Sequence, residues 1–175
     1  MMYQYKREPL SAEDTNKLIN ACKTPTEKLI IYILFDTGMR VSELAGLKKD
    51  NILWQEKRIR IYGKGGPYGK KNKMRIIPMT ERAYTILSAW FALQDTIDLK
   101  KRTMQWHITK VANRAGITKP VSAHVLRHTF AVNCIKRNIS TRTLQHLLGH
   151  DHLTTTEIYL NLSPEDACRE FVNKF

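Results

Sequence analysis

Four short groups in the sequence combine residue types that can act on a phosphate. They are Gly38-Met39-Arg40-Val41-Ser42-Glu43-Leu44, Gly63-Lys64-Gly65, His124-Val125-Leu126-Arg127-His128, and Leu148-Gly149-His150 with Tyr159 nine residues on. Each has an ordinary explanation when taken alone. An arginine after a helix-ending glycine caps the helix or sits in solvent, and a tyrosine in a helix packs in a core or an interface. His124, Arg127 and His128 share one helical face by their i, i+3, i+4 spacing, which also describes a solvated basic stripe. Together they make a coherent set. Breaking a phosphodiester develops charge on the non-bridging, attacking and leaving oxygens, so a metal-free site needs fixed cationic donors, a nucleophile and a proton source. Two arginines, a lysine, two histidines and a tyrosine meet that need. Arginine offers a permanently charged fork for two phosphate oxygens. Lysine is a point charge whose pKa falls among like charges, which suits a general acid. A tyrosine attacking phosphorus conserves the bond energy as an ester, so a hydroxyl can reseal the strand without ATP.

The histidines also suggest a metal, because His124/His128 and His146/His150 are both i, i+4 pairs of the kind that chelate a cation on a helix. Zinc sites usually add a carboxylate or a thiolate, whereas residues 99–150 contain no acid and only one cysteine, Cys134. Arg127 inside the first pair would repel a cation. The expectation is therefore no metal and no cofactor, with His128 in a supporting or core role. Cys22, Cys134 and Cys168 are odd in number and widely spaced, which fits reduced thiols packed as small hydrophobes.

Charge points to the partner. The 175 residues carry 29 Lys and Arg against 16 Asp and Glu, a formal charge of +13. Residues 57–80 hold eight basic residues and no acid, and residues 99–150 hold ten more and no acid. A surface charged only for solubility would intersperse the two signs. The segregation fits a nucleic-acid backbone. An anionic membrane fits less well, since no basic helix carries an exposed aromatic face. No apolar run approaches the roughly 20 residues of a membrane span, and a cytoplasmic, nucleoid-associated location is expected. With 42% hydrophobic and 26% charged residues, the composition is that of a globular domain rather than a disordered chain.

The elements that must position these groups are legible from caps and periodicity. Ser11 opens a first helix, and Thr24-Pro25-Thr26-Glu27 opens a second that ends at Gly38. Val41, Leu44 and Leu47 continue at helical spacing. Asn51–Trp54, Arg58–Tyr62 and Met74–Pro78 read as three short antiparallel strands, with Arg58-Ile59-Arg60-Ile61 alternating basic and apolar faces. Beyond Thr80 the chain reads as helix. One helix carries Ala83 to Trp90, and one ends at Gly116. Another follows Ser122, one runs from Ser140 to Gly149, and a short capped one carries Tyr159. The last spans residues 163–175. The expected fold is mainly α with one small three-stranded antiparallel sheet.

These motifs in this order resemble the catalytic domain of the tyrosine recombinases, the phage integrase family. The strongest matches are Thr37-Gly-Met-Arg40-Val-Ser-Glu43-Leu and His124-Val-Leu-Arg127-His128-Thr-Phe-Ala131, followed by Leu147-Leu-Gly-His150 and Tyr159. The resemblance implies that Tyr159 is the nucleophile and forms a 3′-phosphotyrosyl link to double-stranded DNA. It implies that Arg40 and Arg127 clamp the scissile phosphate, that His124 assists proton transfer, and that His150 binds a non-bridging oxygen. Lys64 resembles the hairpin lysine that protonates the leaving 5′ oxygen. The 63–73 hairpin is longer than the family's usual turn, so Lys70, Lys71 and Lys73 stand as substitutes. Glu43 matches a supporting acidic position.

The resemblance further implies a single catalytic domain over residues 1–175, without the family's N-terminal core-binding domain. It implies a homotetramer on DNA and leaves a monomer open for the free chain. For residues 163–175 two readings stand side by side, packing on their own domain or docking on a neighbouring protomer. Arg58, Arg60, Arg75, Lys136, Arg137 and Arg142 join the hairpin lysines as candidate DNA contacts on charge and placement alone. Two other classes share parts of this pattern: a type IB topoisomerase, and a DNA-binding module without catalysis.

Overall fold

A computed structural model describes residues 8–63 and 73–149. Lys64, Lys70, Lys71, His150 and Tyr159 lie outside these residues, as do the expected helices around Tyr159 and over 163–175. The fold is mainly helical with one three-stranded antiparallel sheet, as the sequence indicates.

Helix α1 (Ala12–Asn20) starts where Ser11 Oγ accepts the Asp14 N–H at 3.0 Å. Helix α2 (Pro25–Thr37) starts on a reciprocal cap, in which Thr24 Oγ1 accepts from Glu27 N and Glu27 Oε2 accepts from Thr24 N. It buries Leu29, Ile30, Ile31, Ile33 and Leu34. Being apolar on nearly every side, α2 is the central helix, packed against α1, α3 (Val41–Ala45), α4 (Glu81–Phe91), α5 (Lys101–Arg114) and α6 (Ala123–Lys136). It ends at Gly38, at φ +62°. Only glycine fits there, because a Cβ would lie 2.3 Å from Phe130 Cδ1.

Two boundaries differ from the sequence reading. Helix α3 stops at Ala45, with Gly46 as its cap, so Leu47 is buried from the turn that follows the helix, its N–H donating to Leu44 O at 3.1 Å. The first strand, β1, is only Ile52–Leu53, preceded by a 3-10 turn at Lys49–Asn51. It pairs with β2 (Arg58–Gly63) at two positions before the chain turns back at Trp54–Lys57, where Lys57 takes φ +51°. Strand β3 (Lys73–Pro78) pairs with β2 along its length, Gly63 opposite Lys73 and Arg58 opposite Pro78. The alternation on β2 holds: Ile59 and Ile61 are buried, Arg58 is exposed and Arg60 is half-buried.

The start of α4 is joined to α2 at Asp36, whose carboxylate accepts from Thr80 Oγ1 at 2.7 Å and from the Arg82 guanidinium, itself stacked over Tyr32. Helix α7 (Thr141–Leu148) packs Leu144 and Leu148 against Ala131 and Cys134 of α6 as a second apolar cluster and ends at Gly149, φ +65°. Leu10 N donates to Thr129 Oγ1 at 2.9 Å, tying the N-terminal segment to α6. Among the described residues no helix is long and apolar enough to cross a membrane.

Candidate active site

Arg40 is placed by the α2 terminus. The left-handed turn at Gly38 redirects the chain, and Arg40 becomes the first residue before α3. Its N–H donates to Glu43 Oε2 at 2.7 Å, and its Nη1 lies 3.2 Å from Glu43 Oε1. The Arg40 side chain is 41% exposed, so it reaches the surface from an anchored base.

Arg127 is placed by α6 and is nearly fully buried. Its Nη1 donates to Gly38 O at 2.5 Å and its Nη2 to Leu148 O at 2.7 Å. A permanently charged, planar donor suits two carbonyls at helix C-termini, where the partial charge is negative. One side chain thus joins the end of α2, two residues before Arg40, to the end of α7, two residues before His150. His124 is exposed one turn earlier on α6, and His128 is half-buried one residue later.

A second arginine meets the same junction. Arg75 on β3 forks onto Glu43, with Nη1 to Oε1 and Nη2 to Oε2 both 2.8 Å, and its Nε donates to Leu147 O at 2.9 Å. Burial works against ionising Glu43, but the Arg75 fork and the Arg40 N–H outweigh it and hold the carboxyl below its ordinary value. With a side chain only 10% exposed, Arg75 faces inward rather than standing on the surface beside Arg58. The register shows why: Arg75 pairs with buried Ile61 and shares its face with buried Ile77.

The structure therefore brings Arg40, Glu43, Arg75, Arg127 and the C-terminus of α7 together, with His124 one turn away. Arg58, Lys136, Arg137 and Arg142 are exposed, Arg60 is half-buried, and the backbone of Lys73 opens β3. Among the described residues no group of three or more His, Cys, Asp or Glu stands close enough to hold a metal. The Cys22 thiol is pushed up to about 11 by burial, with the Glu27 charge adding to it, and the Cys134 thiol is pushed up to about 11 by burial, against the opposing charge of Arg137. Both are buried and free, as inert packing groups should be.

The α+β fold is the one that the motifs imply, and the chain belongs to the phage integrase family, whose sequence profile matches residues 8–166. Among its relatives, tyrosine recombinase XerA of Saccharolobus solfataricus is 34% identical over 160 residues, covering 89% of this chain and 53% of the relative. Tyrosine recombinase XerD of Shewanella oneidensis is 36% identical over 154 residues, covering 78% and 49%. The crystal structure of XerA recombinase superposes with a TM-score of 0.81 at 29% identity, covering 95% of this chain and 63% of that one. The integrase from mycobacterium phage Brujita gives 0.72 at 25% identity, covering 91% and 55%. The chain spans about half the length of the recombinases it matches in sequence.

Proposed function

We propose that this chain is the catalytic domain of a site-specific recombinase that cuts and rejoins double-stranded DNA through a 3′-phosphotyrosyl link at Tyr159, without metal or ATP. The Tyr159 phenol oxygen bonds to the scissile phosphorus, and the bond from phosphorus to the 5′ oxygen breaks. Lys64, or one of Lys70, Lys71 and Lys73, gives the 5′ oxygen its proton, and His124 assists removal of the phenolic proton. Arg40 and Arg127 clamp the non-bridging oxygens, and His150 hydrogen-bonds one of them. Rejoining reverses these steps with a 5′ hydroxyl from the partner duplex as the attacking group.

The observation that carries this reading is the bond from Arg127 to Gly38 O, which brings a permanent cation from α6 to the turn two residues before Arg40. Family membership supports the chemistry, and the segregated basic charge supports the DNA backbone as ligand. Arg58, Arg60, Lys136, Arg137 and Arg142 are proposed phosphate contacts, which would position DNA without reading its sequence. On DNA the chain acts as a homotetramer in which residues 163–175 dock on a neighbouring protomer, and free in the nucleoid-bearing cytoplasm it is a monomer.

The test uses duplexes enriched by binding selection, incubated in pairs with the protein in EDTA. Strands exchanged between the two duplexes are expected. Relaxation of a supercoiled plasmid without exchange would make the chain a type IB topoisomerase instead, and binding without cleavage would make it a DNA-binding module.

A further inference from the structure

We propose that Arg75 is a positioning residue for catalysis, which keeps Arg40 available to the scissile phosphate by occupying the forked face of Glu43 and at the same time fixes the end of α7. The inference rests on the reading that Arg40 acts on a phosphate.

A carboxylate has two oxygens with about four acceptor positions. At Glu43 these are filled by Arg75 Nη1 and Arg40 Nη1 on Oε1, and by Arg75 Nη2 and the Arg40 N–H on Oε2. The bidentate geometry, the strongest a carboxylate can make with a guanidinium, belongs to Arg75. Arg40 is left with a single side-chain contact at 3.2 Å, the longest of the four. Glu43 is nearly buried, with its side chain 6% exposed, so water would not replace a missing partner. Without Arg75, the whole charge of Glu43 would face Arg40, whose exposed guanidinium would turn inward to make the fork itself and leave the phosphate.

Arg75 also acts on the other side of the site. Its Nε holds Leu147 O while Arg127 holds Leu148 O, so consecutive carbonyls at the end of α7 are each gripped by a different arginine. The next residue, Gly149, is left-handed, and a Cβ there would lie 3.0 Å from Arg75 Nη1. The glycine therefore admits the guanidinium as well as the turn, and His150 follows directly.

The test is cleavage of a selected duplex by the 175-residue chain, with rate at saturating DNA and affinity measured separately across salt. Arg75→Gln should slow cleavage of bound DNA about 100-fold, the scale expected when a reacting group is displaced by about an ångström. Affinity and its salt slope should change no more than they do in Arg40→Gln, by the loss of one phosphate contact. Adding Glu43→Gln removes the unbalanced charge, so the double variant should cleave about tenfold faster than Arg75→Gln alone. Arg75→Lys, which neutralises Glu43 but cannot also reach Leu147, should fall between, and it decides the matter if Arg75→Gln does not fold. A fall in affinity and salt slope beyond that of Arg40→Gln, or a further fall when Arg75→Gln is added to Arg40→Gln, would make Arg75 a phosphate contact and overturn the proposal. So would a double variant no faster than the single one, or an Arg75→Lys rate equal to the unmodified chain's. If the unmodified chain forms no adduct that Tyr159→Phe abolishes, the functional reading fails and the proposal falls with it, whereas a normal adduct from Arg75→Gln overturns the proposal alone.

Discussion

Arg127→Lys should reduce cleavage by about 100- to 1,000-fold, the range seen when one preorganised donor to a developing anion is removed, and should also lower stability by about 1–3 kcal/mol. The two losses have one origin. Arg127 is buried and holds Gly38 O and Leu148 O with different nitrogens. Lysine keeps the positive charge but is a single point, so it cannot meet both carbonyls at once. One carbonyl is left without its donor in a site closed to water, and the ends of α2 and α7 lose their tie. Single-turnover cleavage and urea unfolding of the same preparation measure the two effects. A variant that loses rate with no loss of stability would show that Arg127 does not join the two helix ends.

The second large effect lies away from the candidate active site. Glu27 opens α2 but is only 1% exposed, and Arg114 from α5 forks onto it at 2.8 and 3.0 Å while also donating to Ala21 O. The Arg114 fork, opposed by burial and helped by the N–H groups of Lys23 and Thr24, brings the Glu27 carboxyl down to about 2. Because the folded value lies below the ordinary 4.5, the pair stabilises the fold fully above about pH 4.5, and that contribution is lost as pH falls toward 2. The Arg114 side chain is 24% exposed, so solvent screens part of the attraction, and Glu27→Gln should cost about 3 kcal/mol at pH 7. For a domain of this size that is a fall in melting temperature of about 10 °C. The gap between variant and unmodified chain should narrow on going from pH 5 toward pH 2. A gap constant over that range would show that Glu27 is not held ionised by Arg114.

The two cases also show where sequence reading succeeds. Ser11, Thr24 with Pro25, Ser122 and Ser140 mark helix starts, and Gly38, Gly116 and Gly149 mark ends. All of them are local signals, written within one turn of the boundary they set. Arg40, Glu43, His124 and Arg127 stand out in the sequence as candidates by residue type and order, and the structure places Arg40, Glu43 and Arg127 at one junction. What escaped were pairings between distant segments. Glu27 reads as a capping-box carboxylate, and nothing near it announces Arg114. Arg75 reads as one more cation in a basic stretch until the pairing of β3 with β2 turns it inward. The short β1 and the early stop of α3 escaped for a related reason: two residues suffice for β1 because β2 and β3 carry the sheet, and Gly46 ended a periodicity that Leu47 continued only by accident of burial.

The most direct measurement is covalent trapping. The chain is incubated with nicked duplex DNA in EDTA at low salt and high protein concentration, quenched with detergent, and the DNA-linked species digested and mapped. The expected product is an adduct whose peptide contains Tyr159 and which disappears in Tyr159→Phe. No adduct under these conditions, or one that maps to another residue, would contradict it.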